Sequence, residues 1–154
     1  MDRVKESLFS SIAAEVPGAS VLDLYAGVGS FGIEAISRGA ASAVFVESGR
    51  KALAALRSNL ESLGIDALVV PLPAERYVTE TTTRFDLVFC DPPWRMPSSE
   101  VSEVLGHLLH ALDDDTTVVV TRKTGDVAPE VGGLRIDDVR SQGDTTIIRY
   151  VMDR

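Results

Sequence analysis

The sequence predicts an α/β fold: a mostly parallel seven-stranded sheet, helices on both faces, and an antiparallel C-terminal hairpin at its end. Three observations carry this expectation. Short apolar runs such as Phe85–Cys90 and Thr116–Thr121 alternate with segments of helical spacing, the pattern of strands buried on both faces of a parallel sheet. The last two strand-like runs are joined by Ser141-Gln142-Gly143-Asp144 with no helix between them, which reads as a hairpin. A glycine-rich turn follows the first strand and opens a helix, as in nucleotide-type binding folds.

The elements follow in order. Val4, Leu8, Phe9, Ile12 and Val16 have helical spacing up to Pro17-Gly18, so a helix is expected over 2–16. Ser20–Tyr25 reads as a strand and Ser30–Arg38 as a helix stopped by Gly39. Ala43–Glu47 is the second strand, and Arg50–Leu63 a helix with Leu53, Leu56, Leu60 and Leu63 on one side, closed by Gly64. Ala67–Pro71 and Phe85–Cys90 are the third and fourth strands, Val101–Leu112 a helix, and Thr116–Thr121 the fifth strand. Leu134–Arg140 and Thr145–Met152 form the hairpin. The expected organisation is a single domain over 1–154, with an N-terminal helical segment (1–18) preceding the sheet and helices of 19–154.

Composition narrows the function. At 154 residues and 45% hydrophobic content, one domain with a real core is possible. No apolar run reaches membrane-span length and no basic-then-apolar leader opens the chain, so no membrane association is expected. The single cysteine, Cys90, lies inside an apolar strand; it reads as a core residue, and a cytoplasmic setting is the simplest. No His, Cys or carboxylate cluster has metal-ligand spacing, and no metal is expected. His107 and His110 read as helix-surface residues. A net charge of −8 counts against tight binding to naked nucleic acid, whose affinity depends on Lys and Arg contacts to phosphate.

Gly27, Gly29 and Gly32 form G-x-G-x-x-G between strand and helix. The first two glycines allow a tight turn and a close approach of ligand to bare backbone, and the third allows helix and strand to pack closely. Glu47, at the end of the next strand, is placed to accept hydrogen bonds from ribose hydroxyls. That pattern alone serves NAD equally well. Asp23 favours another ligand, because NAD fingerprints usually carry an apolar residue there, and a carboxylate suits the ammonium of a methionine moiety better than a pyrophosphate. The hairpin finish points the same way, since it resembles the Rossmann-like class I fold of S-adenosylmethionine-dependent methyltransferases. The flanking Tyr25, Ala26 and Ser48 complete this candidate loop. After the third strand stands Pro71-Leu72-Pro73-Ala74-Glu75. Pro73 cannot donate a backbone hydrogen bond, so adenine recognition falls to the backbone at Ala74 or to the Glu75 side chain. Glu75 equally suits the first turn of a helix, where it complements the dipole.

Asp91-Pro92-Pro93-Trp94 follows the fourth strand, at the carboxyl edge where ligands of open α/β sheets bind. The exocyclic amine of a purine is a poor nucleophile because its lone pair is delocalised into the ring. Hydrogen bonds from its two N–H groups to the Asp91 carboxylate and the Pro92 carbonyl would hold it and direct the lone pair. Pro92 and Pro93 stiffen the loop, and Trp94 offers a face for stacking. A base must leave its stack to reach such a site.

On these motifs the chain resembles the RsmD-type family of bacterial 16S ribosomal RNA guanine-N2 methyltransferases. The resemblance runs through the opening 2–9 segment, the 21–27 loop, the 32–40 helix, Phe45-Val46-Glu47, the 85–94 clamp and Gly143-Asp144-Thr145. It implies methyl transfer from S-adenosylmethionine, with cofactor bound by Asp23, Gly27, Gly29 and Glu47 and the target guanine held by Asp91 to Trp94. The implied partner is 16S ribosomal RNA, presented within a partly assembled small subunit to a monomeric enzyme. Arg3, Lys5 and Arg95 are the candidate phosphate contacts. Family members usually carry a short basic arm ahead of the position of Asp2, which this sequence lacks, so the sequence supports cofactor binding more fully than RNA binding. Two other readings stay open: an adenine-N6 nucleic-acid methyltransferase, because the clamp suits any exocyclic amine, and a non-catalytic S-adenosylmethionine-binding domain.

Overall fold

A computed structural model describes residues 2–153; Met1 and Arg154, the ends of the expected domain, lie outside the described residues. The chain runs α1 (Asp2–Ser11), β1 (Ser20–Leu24), α2 (Ser30–Ser37), β2 (Ser42–Val46), α3 (Arg50–Ser62), β3 (Leu68–Val70), α4 (Ala74–Glu80), β4 (Phe85–Cys90), α5 (Ser98–Leu108), a 3-10 turn (Leu109–Ala111), β5 (Leu112–Lys123), β6 (Leu134–Gln142) and β7 (Thr145–Met152).

The seven strands form one sheet in the order β3-β2-β1-β4-β5-β7-β6. β1 to β5 are parallel, and β7 lies antiparallel between β5 and β6. The strand order reverses between β1 and β4, and such a switch point opens a crevice at the carboxyl ends of the strands. Leu24 pairs with Val46 on one side and Cys90 on the other, so the loops after β1, β2 and β4 leave the sheet at one level. This register brings the glycine loop, Glu47 and Asp91 to the same edge.

Each face carries its own core. One joins Leu8, Phe9 and Ile12 near the N-terminus, Phe31 and Ala35 of α2, and Leu56 and Leu60 of α3 to the sheet side chains Phe45, Leu87 and Phe89. The other joins α4 and α5, through Tyr77, Val78, Val101 and Leu105, to Leu22, Val88 and Val120. Alternate residues of β4 serve opposite layers, as the two-residue period of a strand requires.

The helix expected over 2–16 ends at Ser11. Ile12 and Val16 are nevertheless fully buried, because the chain turns there and still directs both into the core. α5 begins at Ser98 behind Pro97, ahead of its first buried residue Val101. β5 starts at Leu112, four residues early, and pairs there with Phe85.

Candidate active site

The chain leaves β1 through Tyr25, which holds φ 57° and is the one non-glycine residue with positive φ among those described. L-residues with side chains adopt this region at a cost, and functional sites concentrate such strain. The strained turn lets the Ala26 N–H donate to the Val46 carbonyl at 3.0 Å and swings the next amides toward β2. The Gly27 N–H then donates to Glu47 Oε1 and the Gly49 N–H to Glu47 Oε2, each at 2.7 Å. Glu47 therefore braces two loops with one carboxylate, and each oxygen keeps a further lone pair.

The three glycines do different work. Gly27, at φ 58°, has open space where a Cβ would stand, so only its backbone conformation calls for glycine. Gly29 caps α2 at φ 95°, and a Cβ there would lie 2.6 Å from Leu56 Cδ1. At Gly32 a Cβ would lie 2.4 Å from Phe45 Cε1. At Gly29 both the left-handed backbone and the crowding by Leu56 and Ile33 disfavour a side chain.

Asp23 is 1% exposed and lies behind the glycine loop. Its Oδ2 accepts from the Gly32 N–H at 2.9 Å, and its buried Oδ1 has no partner among the described residues. Burial holds its carboxyl well above the usual carboxylate range, against the Gly32 hydrogen bond, with added repulsion from Asp91 and Glu47. Three acids thus crowd one sheet edge around an under-satisfied carboxylate.

A cleft of about 560 Å³ opens over this edge. One half is walled by Tyr25, Glu47, Ser48, Ala74 and Glu75, and the other by Asp91, Pro92, Pro93, Trp94 and Arg95. The structure therefore brings five of the candidate cofactor residues and the clamp into one cavity, while Asp23, Ala26, Gly27 and Gly29 are not part of its lining. The Tyr25 hydroxyl donates to Glu75 Oε1 at 3.0 Å and lies 3.7 Å from Met96 Sδ, linking the first half to the clamp loop. Burial, with nearby acidic groups, pushes the Tyr25 phenol up, which keeps it a neutral donor. Arg3 is outside this cleft, in a groove with Trp94. Lys5 is elsewhere, 3.6 Å from Glu34.

Sequence reasoning missed two residues at the end of β5. The buried Thr121 hydroxyl donates to Asp91 Oδ1. Burial raises the Asp91 carboxyl above its usual range and this hydrogen bond opposes the rise. No hydrogen bond among the described residues engages Oδ2 of Asp91 or the Pro92 carbonyl, which leaves two acceptors of the clamp unused. Arg122, 2% exposed, donates through Nη2 to the Met96 carbonyl at 2.5 Å and lies 3.6 Å from Asp126. It ties the clamp loop to the sheet from beneath. The available signal was a polar pair ending the apolar run Val118-Val119-Val120 beside the clamp strand.

The donor set suits a cationic ligand with vicinal hydroxyls. The converging carboxylates and the orphaned Asp23 oxygen favour positive charge and oppose a pyrophosphate. S-adenosylmethionine, with its sulfonium and ammonium, meets that requirement.

The family described as "Conserved hypothetical protein 95" matches residues 1–151. The chain belongs to that family. It is 34% identical over 155 residues to the "Putative rRNA methyltransferase YlbH" of Bacillus subtilis, a match covering 97% of this chain and 84% of that protein. It is 40% identical over 95 residues to the "Ribosomal RNA small subunit methyltransferase D" of Escherichia coli K12, covering 61% of this chain and 48% of that protein. The solved "Putative methyltransferase yhhF from Escherichia coli" superimposes with a TM-score of 0.90 at 30% identity, over 100% of this chain and 88% of that one. The relatives named as ribosomal RNA methyltransferases bear out the RsmD-type resemblance, and the seven-stranded sheet with its antiparallel finish is the Rossmann-like class I fold. Among the described residues no helix is long and apolar enough to cross a membrane.

Proposed function

We propose that this chain methylates the exocyclic N2 of a guanine in 16S ribosomal RNA, acting in the cytoplasm as a monomer on a partly assembled small subunit. Its family and fold make it an S-adenosylmethionine-dependent RNA methyltransferase. The observation that carries the finer reading is the single cleft shared by Glu47 and the Asp91–Trp94 clamp, which sets a cofactor and a planar amine side by side.

Glu47 and Ser48 would hold the ribose end of the cofactor, Ala74 or Glu75 would meet its adenine, and the Asp23 carboxyl would face its cationic part. When bound, S-adenosylmethionine supplies an electrophilic methyl group. Asp91 Oδ2 and the Pro92 carbonyl accept the two N–H bonds of the target amine, which turns its lone pair out of conjugation and toward the cleft. Trp94 stacks on the base. Asp91, with its carboxyl raised by burial, takes the proton released from nitrogen as the new bond forms. The Thr121 hydroxyl on Oδ1 fixes which oxygen does this.

The overall charge of −8 supports a substrate already organised by protein, because a particle that presents one unstacked base spares the enzyme part of the ordering cost. The test is transfer of labelled methyl to protein-free 16S RNA, to small-subunit assembly intermediates and to DNA. Faster transfer to intermediates is expected. Equal or faster transfer to protein-free RNA would remove the particle from the proposal, and transfer to DNA alone would favour the adenine-N6 reading.

A further inference from the structure

Trp94 lines the active cleft, and it also lines a second cavity of about 680 Å³. That groove is walled by Arg3 and Val4 of α1 and by the tip of the β6–β7 hairpin, including Gln142 and Asp144. Trp94 is the residue common to both linings, and at 42% exposure it is an unusually open tryptophan. We propose that this groove is a subsite for the nucleotide next to the target base, with its base stacked on Trp94 and its phosphate at Arg3.

The proposal rests on the reading of the chain as an RNA methyltransferase, and it follows from what extrusion of the target does to its neighbour. A base drawn into the Asp91 clamp leaves the adjacent base without a stacking partner. The exposed Trp94 ring, shared by the two linings, supplies one, and such stacking accepts any base. The two charged residues of the groove lie on different walls. A phosphate is attracted to Arg3, whose planar fork suits it, and repelled by Asp144, so the strand enters with its backbone along α1 and its base toward the hairpin. There Gln142 offers a donor and an acceptor, and Asp144 an acceptor for an exocyclic amine, which makes the hairpin tip the part that can discriminate between bases.

The hairpin tip is also held firmly enough to serve as a wall. The Thr124 N–H donates to the Asp144 carbonyl at 2.8 Å, and the Thr124 hydroxyl to the Gly143 carbonyl at 3.0 Å. The same hydroxyl lies 3.0 Å from that of Thr146, which is 2.7 Å from the Ser141 hydroxyl. These bonds fasten an exposed turn onto the end of β5, beside the residues that brace the clamp.

The test uses the full chain with S-adenosylmethionine and reconstituted small subunits whose methylated nucleotide has been mapped. An abasic residue is placed on either side of that nucleotide in turn, and Arg3→Ala, Gln142→Ala and Thr124→Val are assayed on the unmodified particle. On one side only, the abasic residue should raise the KM for the particle about tenfold, within the range of base–aromatic stacking. Arg3→Ala should raise KM by a similar factor that shrinks as salt rises. Gln142→Ala should raise it irrespective of salt, with cofactor affinity unchanged for both. Thr124→Val, which loosens the tip without touching RNA, should reproduce the Gln142 effect more weakly. Wild-type kinetics on both abasic particles and for both groove variants would overturn the subsite while leaving the methyltransferase reading intact. Cofactor binding by the wild-type chain without transfer to any RNA would overturn that reading and the subsite with it. A loss confined to particles, absent on protein-free RNA bearing the same nucleotides, would assign the groove to a protein partner and overturn the proposal.

Discussion

Replacing Thr121 with valine removes one hydroxyl and almost nothing else. The side chain is 2% exposed, and valine matches threonine in shape. What is lost is the hydrogen bond to Asp91 Oδ1. Hydrogen bonds to charged groups contribute about 1.5–3 kcal/mol, and about 1.4 kcal/mol is a factor of ten. The loss falls mainly on the ionised carboxylate, the form that accepts both a hydrogen bond and a proton from the target amine. Burial already raises the Asp91 carboxyl and Thr121 opposes that rise, so in Thr121→Val the group titrates at still higher pH. Below that range turnover should fall about ten- to hundredfold, with recovery as the pH is raised and the carboxylate ionises. The acid limb of the kcat profile should therefore move upward, while cofactor affinity stays within about threefold. Thr121→Ser, which keeps the hydroxyl, should restore the wild-type limb. The assay is single-turnover methyl transfer against pH, with calorimetry for cofactor. A uniform loss of rate at every pH, or a loss of cofactor affinity in step with rate, would refute the positioning role.

Asp91→Ala should lower turnover about a hundredfold or more, as removal of a positioned polar catalytic group does, with cofactor affinity within a few-fold; equal loss of both by calorimetry and transfer assay would make Asp91 a cofactor ligand. Asp23→Asn should raise the melting temperature of the cofactor-free chain at neutral pH while weakening cofactor binding. The sign follows from the raised carboxyl of Asp23: above its folded value the buried charge destabilises the fold, and the disadvantage vanishes as pH falls toward the ordinary carboxylate range. The gain should accordingly shrink on acidification, with about 2–4 °C expected per ~1 kcal/mol for a chain of this size; a gain independent of pH would contradict it. Gly32→Ala forces a Cβ to 2.4 Å from the buried Phe45 ring, an overpacking that typically costs about 1–3 kcal/mol. Gly27→Ala meets no atom within 4 Å and carries only the left-handed backbone cost of about 1–2 kcal/mol. Urea titration should show Gly32→Ala as the less stable; the reverse order would mean that the loop repacks.

The central strands β1 and β4 were legible because each is a short, almost wholly buried apolar run, and β7 matches its expected bounds Thr145–Met152. The helix ends were less so. Ile12 and Val16 repeat a helical spacing from within a turn, because burial and not helicity sets that spacing. α4 spans only seven residues behind Pro73, too short for its periodicity to stand out. In β5, Asp113-Asp114-Asp115 reads as loop, yet Leu112 is already paired to β4, a tertiary contact that no local pattern encodes. At the site, Glu47, Asp91 and Trp94 could be placed on one edge by motif and strand order alone. Thr121 and Arg122 could not, since their roles depend on β5 lying next to β4. Nor could the crowding at Gly29, whose neighbour Leu56 comes from a helix 27 residues further on. Lys5 and Arg3 differ by half a helical turn, and only the fold separates the one beside Glu34 from the one beside Trp94.

The central claim is that the cleft holds S-adenosylmethionine against an exocyclic amine of RNA. Its most direct test is nucleoside analysis of 16S RNA after one turnover with methyl-labelled cofactor on small-subunit assembly intermediates. The label should appear as N2-methylguanosine at a single position with the wild-type chain and be reduced about a hundredfold with Asp91→Ala. Label in N6-methyladenosine, or N2-methylguanosine formed equally well without the Asp91 carboxylate, would contradict the account.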